Sequence, residues 1–214
     1  MTDTTVALPD ERATDDHGGP GHGHGATGLT NTKLSMWLFL ASECLFFGAF
    51  ISTYILYRGR DVEYLGGPTP SELFDIPFTS VTSFILLMSS LTMVLALAAL
   101  QRHDHRRFRL WILATALFGM VFVGGQIYEF TEFYREGLSL STNLFGTTFF
   151  TLTGLHGAHV TVGIVWLLSL YFRSLQGRLL TDHVEGVEIA GLYWHFVDVV
   201  WIIIFTVIYL FPQS

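Results

Sequence analysis

Residues 187–211 read VEIAGLYWHFVDVVWIIIFTVIYLF. About 20 apolar residues in a helix cross the roughly 30 Å hydrocarbon core of a bilayer, so this stretch is long enough to span one. Yet it carries Glu188 at its start and His195 and Asp198 near its first third. A charge at the centre of a spanning helix costs about 2.5–3.5 kcal/mol on insertion scales, so such groups need internal partners or a use. His195 and Asp198 are three apart and share one helix face. That face cannot look at lipid, so the helix packs against other protein. The two side chains read either as a satisfied polar pair or as a catalytic dyad.

Four more stretches have spanning length, at about 33–57, 76–100, 109–130 and 143–172. The second has no charge at all, and the fourth is long enough to tilt or to project beyond the bilayer. None has the polar face of a soluble helix. The chain is 50% hydrophobic and 14% charged, where soluble domains carry about 25% charged residues. The expectation is all-α: an integral membrane five-helix transmembrane bundle over 33–214, behind a flexible His/Gly-rich tail over 1–32. The tail, with GHGHG at 21–25, has too little apolar surface to fold alone. Its His17, His22 and His24 suit weak metal binding, and a solvated tail is the simpler reading. It shows no apolar signal-peptide core. Cys44 is the single cysteine and cannot form an internal disulfide. The net charge of −7 resides mostly in tail and loops. No basic patch interleaves with aromatics, so nucleic acid is not an expected partner.

Basic residues suggest an orientation. With the N-terminus cytoplasmic, the inner segments hold Arg12, Lys33, Arg102, Arg106, Arg107, Arg109, Arg173 and Arg178, and the outer loops only Arg58, Arg60 and Arg135. That bias places the N-terminus inside and the C-terminus outside. The loop QRHDHRRFR at 101–109 is the strongest contributor. It reads equally as topogenic charge or as a contact for anionic lipid head groups. The loop RGRDVEYLGGPTPSELFD at 58–75 reads as a turn region, with Ser71 and Glu72 as a capping pair before the second helix.

Other ionisable groups lie within the spans. Glu43 is about ten residues into the first helix, roughly 15 Å by helical rise and near mid-bilayer among Leu40, Phe46 and Phe47. It reads as a proton-related or lipid-facing carboxyl, or as a neutral acid bonded to a neighbouring helix. Glu129 and Glu132 close the third helix, where solvation or pairing with a loop is expected. His156 and His159, in TGLHGAHV, share a face of the fourth helix. Metal or haem ligation is one reading. The flanking Gly154, Gly157, Ala158 and Gly163 favour another, interhelical hydrogen bonding at a tight crossing. No phosphate loop, nucleophile elbow or HExxH occurs. A rival reading is a membrane enzyme holding haem or metal through His156, His159 and His195. A secondary transporter would show repeats or broken helices, and neither is visible.

Several stretches together resemble subunit III of haem–copper terminal oxidases. YWHFVDVVW (193–201) is similar to that family's closing signature, SECLFFGAF (42–50) to its first-helix acid and aromatics, and GQIYEF (125–130) to its Gln-x-x-Glu-aromatic segment. FGTTFFTLTGLHGAHVTVG (145–163) resembles its long His-Gly-x-His helix, and FRSL (172–175) and HVEGVE (183–188) the approach to the last one. The resemblance runs in order from about 33 to 210. It implies a non-catalytic subunit of a proton-pumping cytochrome c oxidase in aerobic respiration. Such a subunit binds no redox cofactor, with haem and copper in partner subunits. It packs mainly on the catalytic subunit I and also meets subunit II. The implied work is assembly, phospholipid binding in a cleft and sustained proton uptake. The implied setting is a bacterial plasma membrane. Glu43 matches the family's buried carboxyl, and Arg173, His183 and Glu188 match positions near inner-side lipid head groups. The five helices match the shorter bacterial form, not the seven-helix one. GGPTPSELFDIPF (66–78) and the His-rich tail resemble the ubiquinol oxidase branch, whereas Glu43, Glu188 and YWHFVDVVW resemble the cytochrome c branch, which is favoured. A nitric-oxide-reductase accessory protein of the same superfamily is a further alternative.

Overall fold

A computed structural model describes residues 30–57, 75–138, 144–177 and 184–211. Among these residues the chain forms five long helices: α1 Asn31–Tyr57, α2 Ile76–Gln101, α3 His105–Arg135, α4 Leu144–Leu175 and α5 Val184–Phe205. Each is long and apolar enough to cross a membrane. The predicted tail with its three histidines, Ser71, Glu72 and His183 lie outside the described residues.

The helix ends follow cap chemistry rather than the edges of the apolar runs. α3 begins at His105, earlier than the expected 109, because Asp104 caps it by accepting the Arg107 N–H at 3.0 Å. It runs on to Arg135, five residues past the expected end. Asp75 caps α2 in the same way, accepting the Phe78 N–H at 3.1 Å, with Pro77 in the first turn. Between α2 and α3, His103 takes the left-handed conformation at φ 59°. The His103 N–H donates to the Leu100 carbonyl and the Asp104 N–H to the Ala99 carbonyl, a Schellman arrangement. Gly137 (φ 91°) ends α3 by the same pair of bonds, and Leu138, just beyond, is fully buried. α5 does not stay regular to its end. Residues Thr206–Leu210 form a π-helical turn, with Ile208 and Tyr209 buried.

α2, α3, α4 and α5 pack in a closed ring, each against the next and α5 back against α2. α1 lies outside the ring, against α4 and α5. On its outer side Leu38, Leu45 and Leu56 are exposed. Lipid is as apolar as leucine, so helices in a bilayer associate through close packing and polar contacts rather than by escaping water. The packing centres on Trp194. A Cβ on Gly119 of α3 would lie 2.6 Å from its ring, and one on Gly163 of α4 would lie 2.9 Å away. The indole therefore fills a notch that only two glycines leave open. Its Nε1–H donates to Ser89 Oγ of α2 at 2.9 Å. One buried side chain thus engages all four ring helices.

Candidate functional site

Three polar clusters sit inside the membrane-spanning part. The first joins α2 to α5. Ser90 Oγ donates to Asp198 Oδ2 at 2.6 Å and lies 2.9 Å from His195 Nδ1. A hydroxyl has one proton to give. If it goes to Asp198, the Nδ1–H of His195 must donate to Ser90. His195 and Asp198 therefore meet through Ser90 and not through each other. A hydrolytic triad has the carboxylate orienting the imidazole; here the serine sits between them, so the cluster is a clasp between two helices. Two turns further along α5, Trp201 Nε1–H donates to Ser83 Oγ at 2.8 Å. The α2 partners thus descend as the α5 residues ascend, the register of an antiparallel pair.

The second cluster lies at the far end of α5. Glu129 of α3 is 7% exposed and accepts from Thr79 Oγ1 of α2 at 2.7 Å and from Tyr209 Oη at 3.1 Å. Glu129, expected to be solvated or paired with a loop, is instead a buried junction of three elements. A helix end can be inside the bundle although it is close to the membrane edge. Glu132 matches the expectation better: it is half-buried and pairs with Arg135 at 2.8 Å.

The third cluster joins α1 to α4. His159 Nε2 lies 3.3 Å from Glu43 Oε2, with side chains 22% and 16% exposed. His159 Nδ1 is 2.8 Å from the Leu155 carbonyl of its own helix, which fixes the ring. Phe47 packs edge-on to His159 at 5.0 Å. Tyr193 Oη donates to the His159 carbonyl at 2.9 Å, tying α5 to the same spot. Glu43 is thus an acid held beside an imidazole, midway along α1.

His156 does not follow its neighbour. It is wholly buried, and neither ring nitrogen has a hydrogen-bond partner in the structure. Its ring stacks on Trp201 at 5.0 Å and meets Phe122 edge-on at 5.9 Å. The expected interhelical hydrogen bond is absent at His156, because the flanking surfaces are aromatic. The small residues nearby do mark tight crossings. Gly157 faces Gln126, whose Nε2–H donates to the Thr153 carbonyl at 2.6 Å. His156 and His159 both meet Phe47 of α1, whereas His195 turns to Ser90 of α2. Among the described residues, no three His, Cys, Asp or Glu side chains gather as metal ligands.

An apolar groove runs from this third cluster along α1. Beside His159 it is a space of about 310 Å³ lined by Met36, Phe39, Ala158, Val162, Trp166 and Tyr193. A second space of about 450 Å³ shares Met36, Phe39 and Trp166 and opens beside Arg173 and Gly186. At that mouth Lys33 Nζ pairs with Glu188 Oε2 at 2.6 Å. Thr30 Oγ1 donates to Glu185 Oε1 next to it. Arg173 therefore lines one end of the groove, with Glu188 following the Gly186 of its wall by two residues, and His159, paired with Glu43, lines the other.

A sequence profile of the family described as cytochrome c oxidase subunit III matches residues 19–213. The chain belongs to the cytochrome c oxidase subunit III family. Cytochrome c oxidase subunit 3 of Bacillus sp. PS3 is 40% identical over 180 residues, covering 84% of this chain and 86% of that one. A probable quinol oxidase subunit 3 of Staphylococcus saprophyticus is 41% identical over 179 residues, 83% of this chain and 88% of the relative. Quinol oxidase subunit 3 of Bacillus subtilis is 38% identical over 184 residues, 86% and 88% of the two chains. As a member of this family the chain is a multi-pass membrane protein that associates with other oxidase subunits. Reading the sequence did not single out Ser90, Ser83, Ser89, Thr79, Gly119 or Trp194. Ser83, Ser89, Ser90 and Thr79 leave a trace only as a recurrence of Ser and Thr along a helix without charge, and Trp194 only as part of the YWHFVDVVW motif.

Proposed function

We propose that this chain is the non-catalytic subunit III of a proton-pumping terminal oxidase, resting on subunit I and touching subunit II, with haem and copper held by those partners. The observation that carries the reading is the family match over 19–213, together with relatives of nearly the same length named as oxidase subunit 3. Cytochrome c is the proposed electron donor, on the strength of Glu43, Glu188 and YWHFVDVVW. The named relatives include cytochrome c and quinol oxidases at almost equal identity, so the donor needs a direct assay. The distribution of basic residues supports a cytoplasmic N-terminus in a bacterial plasma membrane.

The groove between α1 and the ring supports phospholipid binding. From Arg173 to His159 is fourteen residues of helix, about 21 Å by helical rise. That is close to the reach of a membrane acyl chain. Arg173, with Glu188 and His183 nearby in sequence, is proposed to take the head group, and Met36, Phe39 and Trp166 to flank the chain. Glu43 beside His159 then sits at the chain's end, placed to support proton uptake by the neighbouring catalytic subunit.

The test is purification of the complex through a tag on this chain. Haem spectra and copper content identify the catalytic partner, and oxygen uptake is measured with reduced cytochrome c and with ubiquinol. A complex without haem–copper subunits would refute the assignment. Turnover with ubiquinol but not with cytochrome c would move it to the quinol branch.

A further inference from the structure

The turn between α2 and α3 takes no part in the groove, yet it concentrates charge. His105, Arg106, Arg107 and Arg109 occupy the first turn and a half of α3. A helix start already carries partial positive charge on its free N–H groups, so cations are least favoured there. Asp104 offsets one of them: its carboxylate lies 3.3 Å from Arg107 Nε. Arg106 has no ion-pair partner among the described residues. Arg109 Nε–H donates to the His105 carbonyl at 3.2 Å and leaves the rest of its guanidinium open. A helix start that gathers three guanidiniums against its own dipole favours an anion beside it.

Topogenic charge alone would require a count of basic residues but no shape. Here there is a shape. The three arginines and Asp104, whose charge Arg107 offsets, line a hollow of about 650 Å³, with Tyr171 of α4 also on its wall and Leu110 and Leu113 continuing it along α3. Leu110 is 62% exposed. A soluble anion would gain nothing from the leucines, whereas an amphiphile uses both parts. Tyr171 and Arg173 are two residues apart on α4 and so point to nearly opposite sides. This hollow is therefore separate from the groove that Arg173 borders.

We propose that the hollow binds the phosphate head group of an anionic phospholipid through Arg106 and Arg109, with Arg107 held by Asp104 and an acyl chain lying along Leu110 and Leu113. It is a second lipid position on the side of α4 away from α1. Because it does not involve Arg173, it stands or falls independently of the groove.

The complex, purified through a tag on this chain and delipidated, is titrated with phosphatidylglycerol and followed by native mass spectrometry. Phosphatidylcholine and inorganic phosphate serve as comparison probes. Arg106→Gln with Arg109→Gln is expected to weaken phosphatidylglycerol binding about tenfold, on a background of Arg173→Gln that empties the groove. Phosphatidylcholine binding should not change. Unaltered phosphatidylglycerol affinity overturns the proposal. So does arginine-dependent binding of millimolar phosphate that displaces the lipid, which would make this a soluble-anion site. If the arginine variant does not assemble, Leu110→Asn with Leu113→Asn decides, because it keeps every charge. It should weaken phosphatidylglycerol binding several-fold, and an unchanged affinity again overturns the proposal.

Discussion

Gly119 and Gly124 lie on the same helix five residues apart, but their surroundings differ. A Cβ at Gly119 would lie 2.6 Å from the Trp194 ring and 3.1 Å from Ile164, whereas one at Gly124 would meet nothing within 4 Å. Overpacking a closed site costs about 1–3 kcal/mol. Gly119→Ala should therefore lower the thermal midpoint of the purified complex, and Gly124→Ala should leave it in place or raise it slightly. Equal midpoints would show that Trp194 moves aside without cost. Ser90 allows a second comparison. It serves Asp198 and His195 at once, and Asp198 Oδ1 is already buried without a partner. Ser90→Ala leaves two polar groups unserved and should cost about 1–3 kcal/mol, read in detergent unfolding of the same complex. Ser90→Thr keeps the hydroxyl and should cost less; the opposite order would rule out the clasp.

At the scale of the element, α1 differs from the other helices. Among the described residues it packs mainly against α4 and α5, along one side, and much of its surface is exposed. Its polar ties are Glu43 to His159, Lys33 to Glu188 and Thr30 to Glu185. The Lys33–Glu188 pair is about one-third exposed on each side, so it is worth less than about 1 kcal/mol. Local opening scales with the few contacts an element makes. Amide exchange should therefore be fastest in α1 among the five helices, and Lys33→Ala should speed it further at the groove mouth. Protection of α1 equal to that of α2 would contradict the picture of an outrigger on a closed ring. The turn at Thr206–Leu210 works in the other direction. By adding a residue to one turn it turns Tyr209 inward to Glu129, and so ties the last helix to α2 and α3.

At the scale of the whole molecule, the ring of α2 to α5 is a closed frame, and under the proposed function the α1 groove takes lipid and holds Glu43 beside it. Glu43→Ala removes the acid and its tie to His159 but no contact between two ring helices. It is expected to leave haem spectra and initial turnover intact while shortening the active lifetime of the complex under continuous turnover. Unchanged decay of activity and unchanged proton uptake would reduce Glu43 to a packing role. Arg173→Ala should release one anionic lipid in native mass spectrometry, and a retained lipid would refute the head-group assignment.

Spanning length and low charge in five stretches were enough to specify an all-α membrane bundle, because a bilayer leaves a chain so few alternatives. The order of motifs was enough for the family. The intramembrane groups Glu43, His195 and Asp198 stood out because hydrocarbon tolerates few of them, whereas Glu129 read as a solvated or loop-paired helix end. What the sequence could not determine was each group's partner. Ser90, Thr79 and Tyr209 are unremarkable in a string of letters, and the α2–α5 register that aligns them depends on how the Trp194 ring seats between Gly119 and Gly163. The same limit accounts for His156, whose spacing resembles that of His159 while Trp201 and Phe122 surround it. In the stretch that closes the chain, 187–211, the sequence by itself determined that the polar face must meet protein, since lipid would not accept it. Only the tertiary structure decided that this protein is a serine on α2, because side-chain partners come from packing across helices distant in sequence.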